Sequence, residues 1–224
     1  TALARQFGIA LGQESKIRGK HIQLAPGINI IRTPLCGRNW EYMSEDPYLI
    51  TRMVVPLIQG MQSCGVAACV KHYALNNQEY ERGTIDVYAD ERTLREIYLP
   101  GFEAAVKEAN VLTIMGAYNK YKGQHASYNE YLIQDILESE WGFKGPVISD
   151  WGACHSTLEA LYCGLDIEMG GRFESFDQFF LADPLKNAID RGKVNIKFID
   201  DKVRRILYVM LKLNIINEPA FDTT

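Results

Sequence analysis

The sequence has no excess of positive charge, because its 24 lysine and arginine residues are outnumbered by 28 aspartate and glutamate residues. The basic residues are scattered along the chain, whereas a phosphate backbone or an anionic membrane surface binds a positively charged face. The sequence also has no apolar run long enough to span a bilayer. We therefore expect neither nucleic acid nor a membrane as a partner.

Cysteine is scarce, and its pattern excludes a disulfide framework or a zinc site. The five residues are Cys36, Cys64, Cys69, Cys154 and Cys163. Their number is odd and they lack the close pairs typical of zinc ligands, so we expect free core thiols and neither a metal nor a cofactor. Free thiols favour the cytoplasm over secretion. No charged and then apolar leader begins at Thr1, so we expect any signal peptide to lie upstream of it.

Helical spacing of apolar residues alternates with short apolar runs along the chain. The spacing predicts helices at residues 1–20, 47–64, 90–110, 129–140, 157–162, 176–191 and 197–213. The runs predict strands at residues 22–25, 66–70, 111–117, 146–149 and 165–168. This alternation requires crossover connections, so the fold class is α/β with a mostly parallel sheet covered by helices. A TIM-like (β/α) barrel has this pattern, and a doubly wound open sheet is the alternative.

Polar residues directly follow three of the predicted strands. They are Lys71 and His72, Tyr118 and Asn119, and Asp150 and Trp151. The carboxyl ends of parallel strands meet at one rim, where active sites form. Neighbouring strand residues point to opposite faces, so Lys71 and His72 share a site only if the backbone departs from regular pleating, and we predict such an irregularity. Gly152 lets the chain turn away, so Asp150 should face a pocket.

Two further segments suit the binding of hydroxyl groups. Residues 76–82 are rich in hydrogen-bonding side chains, and residues 37–41 place the Arg38 guanidinium beside an aromatic ring. Each of these candidates also has a purely structural interpretation. Arg38 could pair with Glu41 or Glu45, Lys71 could be solvated, His72 could be a core residue, Tyr118 a core aromatic and Arg82 a surface arginine.

Five motifs occur in order along the chain: GRNWE with SEDPY at 37–48, VKHYALNNQEYER at 70–82, MGAYN at 115–119, VISDWGA at 147–153 and GLDIEM at 164–169. Together they resemble glycoside hydrolase family 3 of the β-glucosidase type. The resemblance implies an incomplete TIM-like barrel over residues 1–216, with its first strand or strands missing, and a linker to a second domain beginning at 217–224. It implies hydrolysis of terminal β-D-glucosyl or related residues with retention of configuration.

The resemblance also implies roles for particular residues. Asp150 matches the nucleophile that forms the covalent glycosyl intermediate, and Trp151 matches a stacking wall. The residues that match sugar-binding positions are Arg38, Lys71, His72, Arg82 and Tyr118. An ionised Asp150 is required to stabilise the oxocarbenium-like transition state, and we expect Lys71 and Arg38 to lower its pKa.

The sequence shows no match to the second carboxyl group that retention needs. In the β-glucosidases of this family the acid/base glutamate comes from a second domain, so the expected partners are a β-glycoside or oligosaccharide and a C-terminal α/β domain. A family Asp-Gly-Pro loop is expected before Thr1. The single-domain branch has an acid histidine in a Pro-Gly-His-Gly-like loop, but residues 73–77 read YALNN. The roles of Glu79, Glu81 and Glu168 stay unassigned.

Two other functions remain open from the sequence. Lys71 follows a predicted strand at the position where barrel aldolases carry their Schiff-base amine. Without an internal acid, the chain could also be a non-catalytic sugar-binding fragment. Labelling of Asp150 by a 2-fluoro glycoside would exclude the aldolase.

Overall fold

The structure, a computed structural model, describes residues 1–170 and 175–217. Its α-helices are α1 (Ala2–Ile17), α2 (Pro47–Gln62), α3 (Glu91–Thr93), α4 (Pro100–Lys107), α5 (Thr157–Tyr162), α6 (Asp183–Asp190) and α7 (Lys197–Lys212). Two π-helical segments cover Leu94–Tyr98 and Tyr131–Glu140, and single 3₁₀ turns cover Asn39–Glu41, Ala126–Tyr128, Phe176–Gln178 and Ile215–Asn217. Residues 218–224 of the predicted linker lie outside the described residues.

The strands form a parallel sheet and a smaller mixed sheet. They are β1 (Ile22–Gln23), β2 (Ala67–Tyr73), β3 (Asp86–Val87), β4 (Thr113–Gly116), β5 (Lys120–Tyr121), β6 (Gln124–His125) and β7 (Val147–Ile148). The larger sheet has the order β1-β2-β4-β7 with every pair parallel, and Ile167 adds a parallel bridge to Ile148 at its edge. β3, β5 and β6 form the smaller sheet. The parallel sheet agrees with the α/β class that the alternation predicted and with the incomplete TIM-like barrel that the resemblance implied.

Helix α2 follows from local sequence signals. Pro47 occupies the first helical turn, and the Asp46 side chain accepts a hydrogen bond from the Tyr48 N–H at 2.8 Å. The helix packs closely on α1 because small residues lie at the crossing. A Cβ atom added to Gly8 would lie 2.1 Å from the Leu57 carbonyl oxygen. Glycine is therefore required where the two helices meet.

Three predicted elements differ from the structure. The helix expected at 90–110 is divided into α3, a π-helical segment and α4, because Pro100 lacks an N–H and fits only a first helical turn. The single helix expected at 176–191 is wrong, since a 3₁₀ turn precedes α6, which begins just before Pro184. The strand expected at 165–168 is reduced to the Ile167 bridge.

The backbone irregularity predicted at Lys71 and His72 is confirmed. The register between β2 and β4 shifts between Val70 and Tyr73, and the Lys71–His72 and Tyr73–Ala74 peptide bonds are cis. Both the Lys71 and the His72 side chains reach groups at the carboxyl end of the sheet, since Lys71 contacts Glu41 and His72 contacts Asp150.

A buried ionic cluster attaches α7 to the last strands of the sheet. The Asp166 side chain is fully buried, accepts a hydrogen bond from the Val147 N–H at 2.8 Å, and lies 3.0 Å from an Arg205 nitrogen. Arg205 also lies 2.8 Å from Glu138, and the Lys202 Nζ is 4.0 Å from Asp166. The cluster therefore links α7 to β7, the strand that precedes Asp150.

The five cysteines are free, and four of them are buried, as expected for core thiols. Within residues 1–170 and 175–217, no helix combines the length and the apolarity needed to cross a membrane.

Candidate active site

The ends of the parallel strands bring the predicted site residues together. His72, at the end of β2, places its Nε2 atom 3.5 Å from Asp150 Oδ2, which follows β7. Tyr118, which follows β4, donates its hydroxyl proton to the Trp151 carbonyl oxygen at 2.6 Å, and its side chain acts on the pKa of Asp150. Three successive strands of the sheet therefore contribute to a single cluster around Asp150.

Arg38 and Lys71 share one carboxylate. The Arg38 Nε donates a hydrogen bond to Glu41 Oε1, and the Lys71 Nζ lies 3.4 Å from the other oxygen, Oε2. The structural interpretation of Arg38 as a partner of Glu41 is thus correct. The pair nevertheless belongs to the cluster, because the charges of both Arg38 and Lys71 act on Asp150.

Arg82 and Tyr118 lie against each other beside Glu79. An Arg82 nitrogen lies 2.5 Å from Glu79 Oε2, and an Arg38 nitrogen lies 3.9 Å from Glu79 Oε1. The Arg82 guanidinium carbon is 4.3 Å from the centroid of the Tyr118 ring, a cation–π contact. Arg82 is therefore held at the site by Glu79 and Tyr118 rather than lying free on the surface.

His72 is buried and hydrogen-bonded on all sides. Its backbone N–H donates to Asn29 Oδ1 and its carbonyl accepts from Asn29 Nδ2, both at 2.8 Å. The ring Nδ1 lies 3.1 Å from the Tyr42 hydroxyl oxygen. Burial, together with the positive charges of nearby arginine and lysine side chains, lowers the pKa of His72 to about 2, so the imidazole is neutral.

Burial dominates the electrostatics of Asp150. Desolvation raises the pKa of Asp150, while Arg82, Arg38, Tyr118 and Lys71 each lower it by less. The expectation that Lys71 and Arg38 lower this pKa is correct for their own contributions, but the net direction is upward. The Asp150 side chain is only 12% exposed, and no sequence pattern indicates how deeply it is buried.

The residue that follows Asp150 is partly exposed. Trp151 is 39% exposed, which leaves its ring face available for stacking, and Gly152 adopts a φ of 75° that turns the chain away as predicted. A separate cavity of about 730 Å³ lies between α1 and α2, and its mainly apolar lining includes Lys71 and Glu41 but not Asp150.

Several residues of the cluster were not predicted as site residues. Tyr42 and Asn29 contact His72, and Asn76 contacts Tyr42, although no local pattern distinguishes them from structural residues. Glu41 and Glu79 are the carboxylates between the cations. The remaining unassigned acids make local contacts: Glu81 accepts a hydrogen bond from Thr84, and Glu168 accepts one from the Leu181 N–H.

A parallel sheet with a carboxylate and cations at its rim is typical of barrel enzymes, whose active sites lie at the carboxyl ends of the strands. Comparison with known proteins identifies the family. Residues 1–209 match the family model described as "Glycosyl hydrolase family 3 N terminal domain". The chain belongs to glycoside hydrolase family 3.

Its relatives include β-glucosidases of known sequence and structure. Beta-glucosidase BoGH3A of Bacteroides ovatus is 50% identical over 94% of this chain and 29% of the relative. Thermostable beta-glucosidase B of Acetivibrio thermocellus is 46% identical over 93% of this chain and 27% of the relative. The structure of beta-glucosidase 3B from Thermotoga neapolitana in complex with glucose aligns with a TM-score of 0.89 and 43% identity, over 94% of this chain and 30% of that one. The chain thus spans less than a third of these relatives.

Proposed function

We propose that this chain is the nucleophile-bearing, sugar-binding part of a retaining β-glucosidase. The single observation that carries the proposal is the carboxylate of Asp150 at the rim of the sheet, 3.5 Å from His72 and within the fields of Arg38, Lys71 and Arg82. Family membership and the names of the relatives support a terminal β-D-glucosyl or related β-glycosyl residue as substrate.

In this proposal Asp150 attacks the anomeric carbon of the sugar. A bond forms between an Asp150 oxygen and C1 as the bond from C1 to the leaving oxygen breaks. Water then attacks C1 and the ester bond to Asp150 breaks. The carboxylate is restored, and the configuration at C1 is retained over the two steps. Because the transition state carries positive charge on the sugar ring, an ionised carboxylate against C1 stabilises it.

The six neighbouring side chains hold the sugar in this proposal. Arg38, Lys71 and Arg82 donate charge-assisted hydrogen bonds to its hydroxyl groups, with His72 and Tyr118 beside them, while the exposed face of Trp151 stacks on the ring or aglycone. The shared carboxylates Glu41 and Glu79 keep the cations extended toward Asp150.

The leaving oxygen needs a proton from a second group, about 5–5.5 Å from the nucleophile in retaining enzymes. We propose that a C-terminal α/β domain of the full-length protein supplies this acid and base. The chain matches only 29% and 27% of the length of the two relatives, which supports a further domain in the full-length protein. The 224-residue chain alone should then react mainly with glycosides that carry good leaving groups, since general-acid assistance contributes roughly 10²–10⁴-fold.

Mechanism-based labelling tests the nucleophile. An activated 2-fluoro β-glucoside should form a stable ester on Asp150, which mass spectrometry of the digested chain would locate. The variant Asp150→Asn should not be labelled, whereas Asp135→Asn, which changes an exposed aspartate, should be labelled like the wild type. A label on any other residue, or equal labelling of Asp150→Asn, would refute the proposal. A panel of 2-fluoro sugars extends the same assay to the preferred glycosyl group.

The Schiff-base aldolase is the second candidate, and the contacts of Lys71 weigh against it. Lys71 forms an ion pair with Glu41 at 3.4 Å, whereas an amine that attacks a carbonyl must be uncharged. Borohydride trapping of a carbonyl substrate on Lys71 would favour the aldolase. A sugar-binding fragment without chemistry would bind glucose in calorimetry yet take up no 2-fluoro label, even in the full-length protein.

A further inference from the structure

A chain of buried polar groups leads from Glu79 to Asp150 through two residues that have no role in the proposed reaction. They are Asn76 and Tyr42, which are 1% and 7% exposed. The Tyr42 ring meets the His72 ring edge-on, with centroids 6.1 Å apart. Gly27 makes room for it, since a Cβ atom there would lie 3.0 Å from the Tyr42 ring. The position of Tyr42 is therefore closely determined.

The direction of hydrogen bonding is fixed at the Glu79 end of this chain. The Asn76 Nδ2 lies 3.3 Å from Glu79 Oε1. A carboxylate oxygen can only accept a hydrogen bond, so the amide must present its NH₂ group to it. The reverse orientation would place the Asn76 carbonyl oxygen against a negative charge. Glu79 is itself held in place by Arg82, whose guanidinium nitrogen lies 2.5 Å from Glu79 Oε2.

The orientation of Asn76 determines what the Tyr42 hydroxyl does. The same Asn76 Nδ2 donates to the Tyr42 oxygen at 3.1 Å, so that oxygen acts as an acceptor. The one hydroxyl proton of Tyr42 is then free to point at the His72 Nδ1, 3.1 Å away. An Nδ1 atom that accepts a hydrogen bond carries no proton. In a neutral imidazole the proton is then on Nε2.

The Nε2 atom is the one that faces the carboxylate, 3.5 Å from Asp150 Oδ2. We propose that Tyr42 is a positioning residue which, oriented by Asn76 and Glu79, fixes His72 as the tautomer whose Nε2–H points at Asp150. In this arrangement the imidazole donates to the nucleophile or to a sugar hydroxyl group beside it. The other tautomer would present a lone pair to a carboxylate, and the two would repel.

The kinetic part of this inference rests on the proposed function, but the tautomer itself does not. Nitrogen-15 NMR of the histidine side chains in the full chain reads the tautomer directly, with His72→Gln used to assign the signals. The expected wild-type spectrum has His72 protonated on Nε2 and bare on Nδ1. A spectrum with the proton on Nδ1, or on both nitrogens, would overturn the proposal whether or not the protein hydrolyses glycosides.

Tyr42→Phe removes only the hydroxyl group that donates a hydrogen bond to His72 Nδ1 in this proposal. The His72 signals should then show a mixture of both tautomers, and kcat/KM of the full-length protein for an activated aryl β-glucoside should fall about tenfold. Asp150 loses a donor in the second tautomer, so its pKa rises and the acid limb of the pH profile moves to higher pH. A merely structural role for Tyr42 would lower stability without moving that limb.

Tyr73→Phe is the matched control, because Tyr73 is fully buried and donates its hydroxyl proton to the Leu132 carbonyl oxygen at 2.7 Å. It should lose stability but keep the His72 tautomer and the acid limb. Unchanged NMR signals and an unchanged acid limb in Tyr42→Phe would contradict the proposal. If Tyr42→Phe does not fold, the wild-type spectrum still decides the tautomer. Failure of the proposed function appears separately, as absence of the 2-fluoro label on Asp150.

Discussion

The variant Arg205→Ala should weaken the link between α7 and the strand that leads to Asp150. Arg205 is 23% exposed and lies 3.0 Å from Asp166, whose side chain is fully buried, and 2.8 Å from Glu138. Removing one partner of a buried ion pair typically costs about 3–5 kcal/mol. Lys202 remains 4.0 Å from Asp166 and offsets part of this loss. We therefore expect the free energy of unfolding to fall by about 3 kcal/mol.

Arg204→Ala provides a control from the neighbouring position on the same helix. Arg204 pairs with Asp201 at 2.6 Å, but the two side chains are 68% and 39% exposed. Exposed pairs contribute about 0–1 kcal/mol, so urea unfolding followed by circular dichroism should separate the two variants clearly. Equal losses in both, or a loss below 1 kcal/mol in Arg205→Ala, would refute the assignment of the cluster as a buried anchor.

The pH dependence of the same variant gives a second test. Burial raises the pKa of both Asp166 and Glu138, and Arg205 lowers each of them, so its removal should raise both further. A carboxyl group with a raised pKa in the folded state stabilises the protein at low pH and loses that contribution as pH rises through the folded-state pKa. The deficit of Arg205→Ala should therefore be largest at neutral pH and shrink in mild acid. A constant deficit would contradict this.

Two further variants test the site and the packing. Arg82 is the strongest of the groups that lower the pKa of Asp150, so Arg82→Met should move the acid limb of kcat/KM to higher pH, while the exposed Arg92→Met should not. An unmoved limb would contradict the effect of Arg82 on the pKa of Asp150. Gly145→Ala places a Cβ atom 1.9 Å from a backbone carbonyl oxygen and should cost ~1–3 kcal/mol, whereas Gly83→Ala meets no atom within 4 Å. Equal unfolding midpoints for Gly145→Ala and Gly83→Ala would contradict the close packing at Gly145.

Much of the architecture could be predicted because the relevant signals are local. Apolar spacing predicted α2, α5 and α7 nearly to the residue, and the polar pairs after strands predicted which side chains meet at the rim. The helix expected at 176–191 failed, because amphipathic spacing continues through the break before Pro184. Proline position was the better guide there, since a proline fits a first helical turn.

The finer features of the site depend on contacts that no sequence pattern contains. The Tyr42 hydroxyl reaches His72 across 30 positions of the chain, and the net direction of the Asp150 pKa depends on how far burial outweighs three cations. The motif at 37–41 indicated Arg38, but not that Glu41 would divide its two oxygens between Arg38 and Lys71. Such sharing is a property of the assembled rim.

The interleaving of acids and bases at the rim leaves the centre electrically balanced. Among the described side chains of this cluster, the positive charges belong to Arg38, Lys71 and Arg82, the negative charges belong to Glu41, Glu79 and Asp150, and His72 is neutral. In the proposed function the substrate is an uncharged sugar, so its approach has no net electrostatic attraction that dissolved salt could screen. In the proposed reaction, esterification of Asp150 would leave one uncompensated positive charge, which departure of the sugar cancels again.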